Sequence, residues 1–130
     1  HDNMVKDAAW RQTFNAVIDA CWLSWGGFSS IGQDHELFQA RHTGTDNQSY
    51  HRGDSWYYVN NIAALALHDF SASSYLKYIE KIRSASLKDY TRQLAIGACS
   101  EISDAEEQRS AGCVSQAWSL ATLIELLDTV

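Results

Sequence analysis

Glu101 stands in ACSEISDAEEQRSAGCVSQAWSLA, residues 98–121, directly after the small residues Ala98, Cys99 and Ser100. Small neighbours leave room for a ligand ring, and a positioned Glu can take or give a proton during a reaction. Gly97 lets the backbone turn away from the preceding element. Composition alone favours the plainer reading of a solvated loop acid. A second group, Tyr50, His51, Arg52 and Trp56, combines a fork of guanidinium donors and a tunable imidazole donor with two rings. Rings of this kind stack on flat ligand faces or pack into a core. Gln116 and Trp118 form a third group at the head of an apolar segment.

The spacing of apolar residues says what must position these groups. Phe14, Val17, Ile18, Cys21, Trp22 and Trp25 follow a helical period, which predicts a helix from about 5 to 24 that stops at Gly26-Gly27. Residues 26–54 are rich in Gly, Ser, Thr, Asp, Asn and Gln and predict a long loop. Loops longer than about 12–15 residues usually serve a function. Trp56, Val59, Ala63, Ala66, Leu67 and Phe70 mark a second helix, and Tyr75, Ile79 and Ile82 a third after a Ser-rich turn. Ser86 with Asp89 resembles a capping box that opens a fourth helix, and Asp54 is placed to cap the second. The last helix is expected from about 112 to 128. Cys113, Ala117, Leu120, Ala121, Ile124 and Leu127 form its main stripe, Trp118, Leu123 and Leu126 widen it, and Ser115, Ser119, Thr122 and Glu125 keep a polar strip. A helix so apolar is expected between neighbours. No segment reads as a strand. The expectation is an all-α protein of about five helices.

Composition narrows the function classes. The chain has 130 residues, 45% of them hydrophobic and 20% charged, which suits one globular domain with one core. A net charge of −6 with scattered Lys and Arg argues against nucleic acid. No apolar run of about 18 residues indicates a membrane span. The chain opens on His1 rather than Met, which suggests an expression scar or a piece of something longer. Cys21, Cys99 and Cys113 fit no zinc spacing and are expected as reduced, buried thiols of a cytoplasmic protein. His35, His42 and His68 are not spaced as metal ligands. Neither metal nor cofactor is expected. Five Trp and six Tyr suit a binding cleft. The chain has no Pro, a depletion for which we have no physical account.

Two motifs carry a family resemblance. YHRGDSWYYVNNIAALAL, residues 50–67, resembles the YHRG-x-x-W segment of glycogen debranching enzymes and related glucoamylase-like hydrolases. CSEISDAEEQRSAGCVSQAWSLATLIELL, residues 99–127, resembles the closing segment of the same enzymes, and GGFSSI…HELFQARHTG resembles the loop ahead of YHRG. The Pro and second Trp that follow YHRG-x-x-W in the family are replaced here by Tyr57 and Tyr58. The resemblance covers roughly residues 25 to 130.

It implies that residues 1–130 are a single domain, the C-terminal portion of an (α/α)6 glucosidase barrel. The implied reaction is hydrolysis of α-1,6 branch linkages of glycogen or a maltooligosaccharide-type glucan by inversion, without a cofactor. Such a reaction needs two carboxyl groups about 6.5–9.5 Å apart. By resemblance Glu101 is the general base, polarising a water at the anomeric carbon. His51, Arg52 and Gln116 then meet sugar hydroxyls, and Tyr50, Trp56 and Trp118 offer stacking faces. An internal ion pair remains open for Arg52, and a core role for each of the three rings. Asp104 follows Glu101 too closely to be its acid partner and reads as a turn acid. In the family the general acid lies in the first half of the barrel. Twelve helices of about 11–12 residues with connections of about 5 need roughly 200 residues. The chain is therefore expected to be inactive alone, completed by the remainder of the barrel or by self-association. The rival expectation is a non-catalytic carbohydrate-binding or structural helical module.

Overall fold

The computed structural model describes residues 7–130. Among the described residues the chain is mixed, with three helices and two small antiparallel sheets. Helix α1 spans Asp7–Cys21, and strands β1 (Trp22–Leu23) and β2 (Gly27–Phe28) follow at once. A long loop with one 3-10 turn, Gly44–Asp46, leads to β3 (Ser55–Trp56) and helix α2 (Tyr57–Arg92). Strands β4 (Ile102–Ser103) and β5 (Ser110–Ala111) precede helix α3 (Ala117–Thr129). The order β3-β4-β5 pairs Ser55 with Ser103, Trp56 with Ile102, Ile102 with Ala111 and Ser103 with Ser110.

The expectation of an all-α protein of about five helices within an (α/α)6 barrel is thus corrected. Gly26-Gly27 does not cap a helix. The chain leaves α1 at Cys21 and folds back as a hairpin, with Gly26 N–H donating to the Leu23 carbonyl at 3.0 Å. Gly26 has φ +115, and a Cβ there would run into the Lys81 backbone and lie 3.3 Å from the Ala85 methyl, so the hairpin can lie directly on α2. The expected second and third helices do part at Ser71, where φ −169 and ψ 83 leave helical geometry and put a kink in α2, but the expected third and fourth helices run on without a break. Ser86 opens nothing: it is buried inside α2 and donates to Asn61 Oδ1 at 2.7 Å.

The core gathers Ile18 of α1, Phe28 of β2, Ala64, Leu67, Tyr75, Ile79 and Ile82 of α2, and Leu126 of α3. The buried face of the first half of α2 is Tyr57, Asn60, Asn61, Ala64 and Leu67, rotated from the expected apolar stripe. Hydrogen bonds make this possible: Asn60 Oδ1 accepts from Phe28 N–H at 2.9 Å, and Asn60 Nδ2 donates to Ser55 Oγ at 2.9 Å. Helix α3 likewise buries Ser119, Leu123 and Leu126, and Asn61 donates to the Ser119 carbonyl at 3.3 Å. Its expected main stripe faces outward at Ala117, Ala121, Ile124 and Leu127. Helix α3 is therefore packed on one side rather than enclosed. Of the three free cysteines only Cys99 is buried, and Cys113 is exposed. No helix among the described residues is long and apolar enough to cross a membrane.

Candidate active site

The three-stranded sheet brings the Glu101 segment and the Tyr50–Trp56 group together. Because Trp56 pairs with Ile102, Tyr50 and Trp56 lie beside Glu101. The Glu101 backbone is fixed on both sides: its N–H donates to the Cys113 carbonyl at 2.9 Å, and its carbonyl accepts from Tyr57 N–H at 3.3 Å, at the start of α2. The half-buried carboxylate is held at both oxygens. Oε1 accepts from the Tyr50 hydroxyl and Oε2 from Cys113 N–H at 2.9 Å. Donation to Glu101, with smaller effects of burial and of the carboxylate charge, pushes the Tyr50 phenol up to about 12, so it stays a donor throughout the neutral range.

Gly112 makes room for this carboxylate. Its φ is +72, and a Cβ there would lie 2.6 Å from Glu101 Oε2 and 2.9 Å from Ile102 Cγ1. Gly112→Ala is expected to lose about 1–3 kcal/mol in denaturant unfolding, from left-handed strain and the displaced carboxylate. Unchanged stability would mean both that the backbone at 112 relaxes out of the left-handed region and that Glu101 moves aside freely.

Behind the site lies a buried polar network. Asp89 Oδ2 accepts from Ser100 N–H at 2.7 Å and Oδ1 from the Ser110 hydroxyl at 2.6 Å. The Tyr57 hydroxyl lies 3.1 Å from Ser110 Oγ, and burial, then the Asp89 charge, push it up to about 12. Gln108 donates to the Ala85 carbonyl at 2.7 Å. These bonds tie the β4–β5 hairpin to α2 on either side of Glu101.

A ribbon of rings runs out from the carboxylate. Tyr50 meets Trp56 edge-on at 4.6 Å, and His51 stacks on Trp56 at 5.4 Å with planes 7° apart. Trp56 meets Tyr58 at 90° and 6.1 Å, and Tyr58 stacks on Trp118 at 5.2 Å. Trp118 is 56% exposed and so is not core. His51, Trp56 and Tyr58 also border a cleft of about 450 Å³ between α1 and α2, lined further by Val17, Cys21 and Phe28. A hollow of about 480 Å³ near Trp10, Arg11 and Phe70 includes none of these residues.

The remaining candidates fall differently. Arg52 is exposed and forms no ion pair among the described residues. Gln116 stands at the N-cap of α3 without a side-chain bond there, and its N–H donates to the Cys99 carbonyl at 2.7 Å. It does not meet Glu101, whose two oxygens go to Tyr50 and Cys113. Asp104 is buried and turns its own loop, with Oδ1 accepting from the N–H groups of Glu107 at 2.9 Å and Arg109 at 3.3 Å. Asp54 does not cap α2, whose N-cap is Trp56. Sequence reasoning missed Tyr58 as a ring of the ribbon and Gly112 and the Cys113 amide as supports of Glu101. A glycine between a charged loop and an apolar helix was the one available signal. Among the described residues no group of three or more His, Cys, Asp or Glu is disposed to hold a metal ion.

The model of the family described as amylo-alpha-1,6-glucosidase matches residues 2–125. The chain belongs to that family. No curated protein matched it. Among solved structures it is similar to an uncharacterized conserved protein from Thermus thermophilus, at 15% identity and a TM-score of 0.62 over 97% of this chain. The chain spans 27% of the length of that protein. At that identity the likeness concerns the fold alone.

Proposed function

We propose that this chain supplies the general base and part of the sugar subsite for hydrolysis of α-1,6-glucosidic branch linkages in a glycogen-type glucan, with inversion. The observation that carries this reading is the Glu101 carboxylate, held at both oxygens by Tyr50 and the Cys113 amide at the foot of a ribbon of five rings. Each oxygen keeps a lone pair for a water. Trp56, Tyr58 and Trp118 offer faces to glucose rings, and His51, Arg52 and Gln116 offer donors to hydroxyls.

Asp104 spends a carboxylate oxygen on its own turn, and Glu106 and Glu107 pair with Arg41 and Arg109 at the surface. By the family resemblance, the general acid comes from the remainder of an enzyme of which this chain is one part, or from a second copy. The outward apolar residues of α3 are where that body packs. On this reading the 130-residue chain alone releases no glucose.

The test is the anomer released from a branched glucan by an enzyme carrying this segment, followed by proton NMR. Inversion at an α linkage frees β-glucose first. Initial release of α-glucose overturns inversion. Tight glucan binding by the isolated chain, from an enzyme that releases no glucose, would instead establish a carbohydrate-binding module.

A further inference from the structure

Three of the candidate residues, Tyr50, His51 and Arg52, sit on the tip of a small closed loop, and the closure involves groups that the proposed reaction does not use. Ser49 and Asp54 flank the tip. The Ser49 carbonyl accepts from the N–H groups of Arg52 and Asp54, each at 2.9 Å. The Ser49 hydroxyl donates to Asp54 Oδ2 at 2.8 Å, and His42 Nδ1 lies 2.7 Å from the same oxygen. Thr43 completes the knot, with its N–H donating to Ser49 Oγ at 2.9 Å and its Oγ1 accepting from Ser49 N–H at 3.0 Å.

Counting protons fixes the roles. Asp54 and Ser49 are fully buried, so each contact needs a donor and an acceptor. Ser49 gives its only hydroxyl proton to Asp54. The Asp54 carboxylate can only accept, which assigns a proton to His42 Nδ1. The second Asp54 oxygen, Oδ1, is buried with no partner among the described residues. Ser49 and Asp54 both lie on the Nδ1 side of the ring, so the cluster is not a nucleophilic triad, in which the hydroxyl and the carboxylate lie on opposite ring nitrogens. Its effect is mechanical. It holds both ends of the 50–53 tip at one point, and the far side of that tip carries the Tyr50 hydroxyl to Glu101 and the Tyr50 carbonyl to the Trp56 indole N–H at 3.1 Å.

We infer that His42, Ser49 and Asp54 are positioning residues: their shared carboxylate clamps the Tyr50–Arg52 tip and so sets where the Glu101 carboxylate points. The inference rests on Glu101 as the base for its functional meaning, but its physical content is independent of catalysis.

The experiment is amide and indole hydrogen exchange, read by nitrogen-15 NMR on the 130-residue chain. Two signals report the tip: the Trp56 indole N–H, identified with Trp56→Phe, and the Cys113 amide bonded to Glu101. Ile79 and Ile82 amides report the core. His42→Ala is the first variant, because the His42 side chain is 25% exposed and its loss leaves the core intact. Exchange at Trp56 and Cys113 is expected to accelerate about tenfold or more, the scale of losing a bond to a buried charged group. Ile79 and Ile82 stay within about twofold of wild type. Asp54→Asn keeps one acceptor oxygen for His42 or Ser49 and is expected to fall between wild type and His42→Ala. Unchanged exchange at Trp56 and Cys113 in His42→Ala overturns the clamp. Core amides accelerating in step with the tip also overturn it, since the cluster then holds the fold as a whole. Neither result touches the base assignment, which the activity of Glu101→Gln decides.

Discussion

Glu101→Gln is expected to lower kcat on a branched glucan by about 10²–10⁴-fold in an enzyme carrying this segment, the usual contribution of a general base. That range corresponds to about 3–5 kcal/mol of barrier. The substitution is close to isosteric and fits the local bonds. The Gln oxygen can accept from Cys113 N–H, and its amide can donate to the Tyr50 oxygen, whose proton is free to rotate away. KM and thermal stability should therefore stay near those of the parent, while the basic lone pair is gone. Steady-state kinetics and a melting curve measure all three. Turnover within about threefold of wild type would remove Glu101 from the chemistry, since far more than that is asked of a base.

The pairing of the two motifs around Glu101 is what the fold accomplishes, and strands accomplish it. Each strand is two residues long. A period of two cannot show itself in two residues, so SW, IS and SA carry no strand signal of their own. The helices were easier to read where apolar residues do the packing: Tyr75, Ile79 and Ile82 lie buried on the side their spacing assigned. They were misread where polar residues do it. Asn60 and Asn61 are buried through hydrogen bonds to partners far away in sequence, Ser119 is buried with its hydroxyl unpartnered among the described residues, and no hydropathy pattern marks any of them. That rotated the first turns of α2 and all of α3 relative to expectation. The capping-box reading of Ser86 and Asp89 failed for the same reason. Both are short polar residues at the spacing of a helix start, yet their partners are Asn61, Ser100 and Ser110.

The candidate residues themselves came from motif resemblance more than from physical pattern. Glu101, Tyr50, Trp56, His51 and Trp118 gather around one ribbon, while Gln116 and Arg52 make no side-chain bond to it. Tyr58 stands out in the sequence only as a departure from the family motif, because WYYV is β-prone locally while the helical spacing runs through it. In the structure the switch falls inside that run, with Trp56 ending β3 and Tyr57 beginning α2. That switch turns Tyr58 toward Trp118.

Asp89→Ala is expected to destabilise the chain by about 2–5 kcal/mol, because it removes the acceptor on which the β4–β5 hairpin is hung. Asp89 is 1% exposed, and among the described residues it has no cationic partner. Its charge is tolerated only through Ser100 N–H and the Ser110 hydroxyl. Truncation leaves Ser100 N–H buried and unpaired, at about 1–3 kcal/mol, and opens a small cavity beside Cys99 and Tyr57. Ser110 can turn its proton to Tyr57, so its loss is smaller. Asp89→Asn separates shape from charge. Its oxygen can accept from Ser100 N–H and its amide can donate to Ser110, while an unpaired buried charge disappears, so its cost should stay below about 1 kcal/mol. Urea unfolding of the two variants gives the comparison. Because Ser100 directly precedes Glu101 in the chain, the Ala substitution placed in an enzyme carrying this segment should also lower glucan turnover in proportion to the disorder of the hairpin, and the Asn substitution should leave it. An Ala variant as stable as the Asn variant would mean that the hairpin is held by its strand pairing alone, and that Asp89 contributes nothing to placing Glu101.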